Sequence, residues 1–345
     1  MSELRQLTSA RGIAAWFVVL YHIRQSIPGL PDSARAILGK GYLAVDFFFL
    51  LSGFVIWLTW HDRLRQGDRA TIGWFLHKRI ARIWPLHLAM LAVAVALAAT
   101  LALTGRPDPA YPIVQLPLHL LLIQNWGFTD HLAWNDPAWS ISCEFAAYLA
   151  FPLLVMVVDW RALRTRTLVL AAAAVLATLY ALMAGEPSLG ADIPRFGLIR
   201  CLAEFTTGTI VAALYQRQSG RIALPLAILL SAAWALGASE ILVVPAALAA
   251  TLLALARAPR ILQGRVIHWL GDISYATYLS HFLLWKIVKL AVVTDATHVD
   301  ATTIVAYLAI VVMASAVLYH GFERPAQRLI NGVRRARPPA PSSTP

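Results

Sequence analysis

"ARGIAAWFVVLYHIRQSI", residues 10–27, is apolar enough to cross a membrane, yet it carries an arginine near one end and a histidine eleven residues later. A membrane-crossing helix needs about 20 predominantly apolar residues, and residues 8–27 supply that length. Ionisable groups inside such a helix are costly and mark functional sites by default. Eleven residues are about three helical turns, so Arg11 and His22 share a face, about 16 Å apart along the axis. What that face looks at depends on the rest of the chain.

Of the 345 residues, 59% are hydrophobic and 14% charged, and the mean hydropathy is +0.64. A soluble domain carries about 25% charge, so this composition reads as an all-α polytopic membrane protein. Gly, Ala, Ser and Thr within the apolar runs suit close helix packing in lipid. The two cysteines, Cys143 and Cys201, lie in apolar segments and imply no disulfide framework. A short charged lead precedes the first run and no small-residue cleavage site follows it. The run is therefore read as a retained span, not a signal peptide.

Apolar runs lie at about 8–27, 41–60, 84–104, 113–126, 137–158, 167–184, 195–215, 222–237, 240–256, 266–290 and 301–322. Eleven crossings would place "RALRTR", residues 161–166, on the outer side, against the positive-inside rule. The run 113–126 is short, contains Pro117 and His119, and reads as re-entrant or interfacial. About ten transmembrane helices remain, with both termini cytoplasmic. On that topology 21 of the 29 Lys and Arg residues fall on the cytoplasmic side. The same asymmetry accounts for the net charge of +11 without nucleic acid, for which no binding motif is present. Residues 1–326 form one membrane domain. Residues 327–345, basic and then Pro-rich, are expected to be a disordered tail.

Rise per residue places five ionisable groups from five spans in one outer-half layer. They are His22, Asp46 in "GYLAVDFFFLLSGF", Glu144 in "PAWSISCEFAAYLAFP", Glu204 in "IRCLAEFTTG" and His281 in "LGDISYATYLSHF". Arg200 stands one turn above Glu204. The layer is expected to line a polar cavity, with Trp134 and Trp139 flanking its outer mouth, where a sugar face could stack. On the inner side, "FLHKRIARIWP" sets Arg79 and Arg82 three residues apart on one helical face. Guanidinium forks suit phosphate. Arginines beneath a helix face that climbs to a histidine suggest a ligand with an anionic head and a thin arm. Acyl-coenzyme A has that form.

These blocks, with "GFERP" near the end, occur in an order that resembles the membrane acyltransferase-3 family, bacterial integral-membrane O-acyltransferases of envelope and exopolysaccharide sugars. The resemblance runs from about residue 5 to 326. It implies transfer of an acyl group, acetyl by default, from cytoplasmic acyl-CoA to a sugar hydroxyl at the outer side of the bacterial inner membrane. It also implies that the arginine-to-histidine motif, Arg11 and His22, carries catalysis. Asp46, Glu144 and the Arg79–Arg82 pair match further family motifs. Many members carry an esterase-like C-terminal domain, and a stand-alone type without it is expected here.

A hydroxyl needs a general base near neutral pKa to become a nucleophile, and His22 fits that role. Asp46 or Glu144 would fix its tautomer, as the third group of a triad does. Direct transfer and an acyl-histidine intermediate both stay open. Arg11, Arg79 and Arg82 are the donor-binding residues; Arg200, Glu204, His281 and Trp139 are expected to line the cavity or acceptor site. No metal site and no permanently bound cofactor is expected, and acyl-CoA is a co-substrate. Expected partners are membrane lipids, the donor and a carbohydrate or glycolipid acceptor, with a homo-oligomer left open. The rival reading is a multi-span carrier or flippase of a glycan or lipid-linked sugar, without chemistry.

Overall fold

The computed structural model describes residues 4–258, 260–293 and 299–332. Among the described residues it is helical throughout, without strands. The helices are α1 (Arg5–Ile23), α2 (Asp32–Leu38), α3 (Ala44–Gln66), α4 (Arg69–Leu103), α5 (Leu116–Leu121), α6 (Ala138–Val157) and α7 (Thr165–Leu182). There follow α8 (Ile193–Gln216), α9 (Ala223–Ala235), α10 (Glu240–Ala256), α11 (Arg265–Asp272), α12 (Ser274–Val292), α13 (Ala301–Leu318) and α14 (Arg324–Gly332).

Six helical stretches, those containing α3, α4, α6, α7, α8 and α13, are long and apolar enough to cross a membrane, and α9 and α10 are shorter apolar helices. With α1 and α12, of 19 residues each, these make up the ten expected crossings of a polytopic membrane protein. α1 and α12 are not among those six, their apolar runs being interrupted by polar side chains such as Arg11, His22 and His281.

Burial sorts the ten into layers. The most apolar windows of α3 and α8 are 72% buried, against 11% for α7. α7 and α13 present apolar side chains outward, as lipid-facing helices do, whereas α3 and α8 form the centre. Two glycines bring those central helices together. A Cβ on Gly53 would lie 1.9 Å from the Phe205 carbonyl oxygen, and one on Gly208 would lie 2.0 Å from that of Leu50. The backbones therefore touch directly, the packing that small residues permit in lipid. α1 crosses α11 the same way, Gly12 lying against Gly271.

Three expectations need correction. The apolar run that begins at 84 is the later part of a longer helix: α4 starts at Arg69, where Asp68 caps it by accepting from the Thr71 amide at 3.0 Å. The paired arginines are thus on a rigid helix. The run expected at 266–290 is two helices, broken at Ile273. The tail expected from 327 begins as helix: α14 continues to Gly332, and residues 333–345 lie outside the described residues.

The weak run 113–126 does not cross. It holds one turn of 3-10 helix and α5, whose six residues rise only about 9 Å. The loop beyond folds back over the bundle end. Trp126 Nε1 donates to Ser142 O at 2.9 Å, and Asn125 Nδ2 to Ile193 O at 3.2 Å. Asn135 Nδ2 donates to Leu279 O at 2.9 Å.

Candidate active site

A cavity of about 420 Å³ lies between α1, α3, α4, α6 and α12. Its lining on α3 runs from Val45 to Thr59, which at helical rise is about 21 Å of length. At the end nearer the N-terminus of α1 it is lined by Leu4, Leu7, Thr8 and Arg11; at the other end by Phe48, Ser140 and Tyr278. It is a channel, longer than wide.

Its polar walls are dominated by three arginines. Arg11 donates from Nη2 to Gly271 O at 2.8 Å and from Nε to Ser274 Oγ at 2.9 Å, both neutral acceptors. The Gly12–Gly271 crossing makes this reach possible. Arg79 lies over the rings of Phe75 and Tyr148, each 5.9 Å away, and its buried Nε has no hydrogen-bond partner. Arg82 pairs with Glu323, a fully buried carboxylate, and lies over Tyr275. Glu323 ends a π-helical turn, Tyr319–Glu323, between α13 and α14. Glu144 accepts from Ser52 Oγ at 2.5 Å and from the Tyr148 hydroxyl. No carboxylate forms an ion pair with Arg11 or Arg79 among the described residues, so these two guanidinium charges suit an anionic ligand.

His22 stands beyond the channel. Its Nδ1 lies 2.9 Å from Val18 O and 3.2 Å from His281 Nε2. His281 is one turn along α12 from Tyr278, whose ring lies 6.1 Å away centroid to centroid. The histidine rings meet edge-on at 4.9 Å, flanked by Phe282 and Tyr21.

The expected polar layer is therefore divided. Asp46 does not touch His22. Its Oδ1 accepts from Arg200 Nη2 at 2.7 Å and Nε at 3.2 Å, with both side chains sealed from solvent. Glu204, also sealed, lies one helical turn from Arg200, and neither of its oxygens has a hydrogen-bond partner. Trp139 lies over the Arg200 guanidinium at 5.5 Å and against Phe49, with 7% of its surface exposed. Arg200, Glu204, His281 and Trp139 are thus packed between helices and do not line the cavity. Burial between α3, α6 and α8 accounts for the first, second and fourth. Arg11, Arg79, Arg82 and Glu144 do line it.

Sequence reasoning overlooked Ser52, Tyr148, Tyr275 and Tyr278, which line the channel. One signal was available: Ser274, Tyr278 and His281 recur at helical spacing along one face of α12. Among the described residues no three His, Cys, Asp or Glu side chains are grouped to hold a metal ion.

The arginine-walled channel, with a buried histidine pair one helical turn beyond it, thus lies inside the helical bundle of a polytopic membrane protein. The chain belongs to the acyltransferase domain family, which matches residues 4–320. It is similar to acyltransferase MdmB of Streptomyces mycarofaciens, 30% identical over 385 aligned positions covering 99% of this chain and 96% of that protein. It is also similar to protein 2 in the picA locus of Rhizobium radiobacter, 40% identical over 103 positions, 30% of this chain and 50% of that protein. No solved structure gives a significant match. The protein is thus an enzyme that transfers acyl groups, and the carrier reading is set aside.

Proposed function

We propose that this enzyme moves an acyl group, acetyl by default, from cytoplasmic acyl-CoA to a sugar hydroxyl on the opposite side of the bacterial inner membrane. The observation that carries the reading is the channel: about 21 Å long, with two guanidinium groups that lack a carboxylate partner among the described residues, and ending one helical turn short of the histidine pair. Orientation rests on the lysine and arginine excess on the face where α1 begins.

On this reading the donor's phosphates sit on Arg11 and Arg79, and its arm runs along α3. Its thioester is presented toward His22. Nε2 of His22 takes the acceptor hydroxyl proton as the oxygen attacks the thioester carbon. The carbon–sulfur bond breaks, and the leaving thiolate recovers the proton from His22 as coenzyme A thiol. Arg82 is held by Glu323 and shapes the wall. Glu144, bonded to Ser52 and Tyr148, orders the α3–α6 side of the channel. Asp46, Arg200 and Glu204 keep α3 and α8 in register behind it.

The test is coenzyme A release from acetyl-CoA by purified protein, with crude envelope glycan as acceptor. Glycan-dependent release by wild type, lost in His22→Ala and weakened at low donor concentration in Arg11→Ala, is expected. Release that is unchanged in His22→Ala overturns the base assignment. Thermal stabilisation by coenzyme A without release would keep the donor site and reject the acceptor class.

A further inference from the structure

The sequence pointed to a carboxylate as the partner of His22, and among the described residues no carboxylate reaches it. Asp46 is committed to Arg200, and Glu144 to Ser52 and Tyr148. The group that meets the ring is another histidine, from a helix 259 residues away in sequence.

We propose that His281 is the positioning residue for His22, a neutral imidazole standing where a triad would have its acid. The inference rests on His22 being the base. It follows from which atoms can donate. A carbonyl oxygen only accepts, and a neutral imidazole has one N–H and one bare nitrogen. His281 Nδ1 lies 2.8 Å from Tyr278 O and 3.1 Å from Thr277 O, so its hydrogen is there and Nε2 is bare. His22 Nδ1 faces Val18 O, so it too carries the hydrogen, directed between that carbonyl and His281 Nε2. One tautomer of each ring satisfies all four contacts. It leaves His22 Nε2 with a free lone pair, the atom that must accept the hydroxyl proton.

Val18 O shares its lone pairs between two donors. It is the i−4 carbonyl of α1 and already accepts the backbone amide of residue 22 within the helix. The second acceptor on His281 fixes the ring's rotation and supports the imidazolium that forms during transfer. His281 is itself immobilised. It is fully buried, its carbonyl accepts from the Tyr307 hydroxyl at 3.0 Å, and the carbonyl of Leu279 is held by Asn135. A neutral partner also has a chemical advantage over a carboxylate. It forms no ion pair with the imidazolium, so the proton passes more readily to the departing thiolate.

The experiment compares His281→Phe, which keeps a buried ring without an acceptor, with His281→Gln, whose amide oxygen can accept where Nε2 did. Steady-state coenzyme A release is measured over a range of acetyl-CoA concentrations, beside wild type and His22→Ala. We expect His281→Phe to lower kcat by about tenfold or more, within the roughly hundred- to ten-thousandfold that a general base supplies. KM for the donor should stay within about twofold, the pattern of a group acting only on the chemical step. His281→Gln should restore most of kcat. If His281→Phe fails to fold, His281→Leu replaces it. Wild-type kcat in a folded acceptor-free variant overturns the proposal while His22 stands as base. Equal loss in the Phe and Gln variants overturns it in favour of a packing role. An active His22→Ala overturns both assignments.

Discussion

Arg200 and Asp46 form an ion pair at 2.7 Å, from the middle of one central helix to the first turn of the other, with 1% and 0% of their side chains exposed. Each is 154 residues from the other in sequence. Removing one partner leaves a charge stranded in a region without water, a loss of about 3–5 kcal/mol. Asp46→Ala should therefore lower the thermal midpoint of the purified protein sharply. Asp46→Asn with Arg200→Met should recover much of the loss. Melting curves of Asp46→Ala and of the double variant decide this. If Asp46→Ala kept wild-type stability and lost only activity, the pair would belong to the chemistry and not to the scaffold.

The arginines of the channel should divide by function. Arg79→Gln removes a charge without an ion-pair partner, and a hydrogen bond to a charged group is worth about 1.5–3 kcal/mol. KM for the acyl-CoA donor should rise about tenfold or more, with little change in melting temperature. Arg82→Gln instead strands Glu323, and should cost about 2 kcal/mol or more of stability. Adding Glu323→Gln to it should return part of that. Equal kinetic and thermal effects from the two arginine variants would argue against the division.

Glycines offer a matched control for helix packing. Gly53→Ala puts a methyl 1.9 Å from the Phe205 carbonyl, so α3 and α8 must separate. Overpacking of this kind costs about 1–3 kcal/mol. Gly73→Ala on α4 meets nothing within 4 Å, and a helical Gly→Ala change there should stabilise by about 0.5–1 kcal/mol. Thermal melts of both variants should move in opposite directions.

The span count was legible because lipid demands long apolar helices whatever their neighbours. So was the short run 113–126, whose length together with the arginines of 161–166 argued against a crossing. The start of α4 was only partly legible: Arg79 and Arg82 read as sharing a helical face, but the apolar run began at 84, because hydropathy reports membrane depth and is blind to where a helix that begins before the membrane starts. Shared depth also misled. His22, Asp46, Glu144, Glu204 and His281 do sit on five helices, but depth says nothing of azimuth, and packing turned them toward three separate neighbours. Arg11 and His22 were legible as a pair because they belong to one helix, where spacing and direction are the same information. The His22–His281 contact joins two helices, and no spacing rule spans that gap.

α1 holds the donor-facing guanidinium and the proposed base on one rod, and its backbone is locked against Gly271 by the Gly12 crossing. The interval between anchor and reaction point is therefore counted in residues. A single residue inserted between Arg11 and His22 would lengthen the interval by only about 1.5 Å but swing the histidine about 100° around the helix. Helical phase, more than the width of the channel, is the gauge against which the donor's arm is measured.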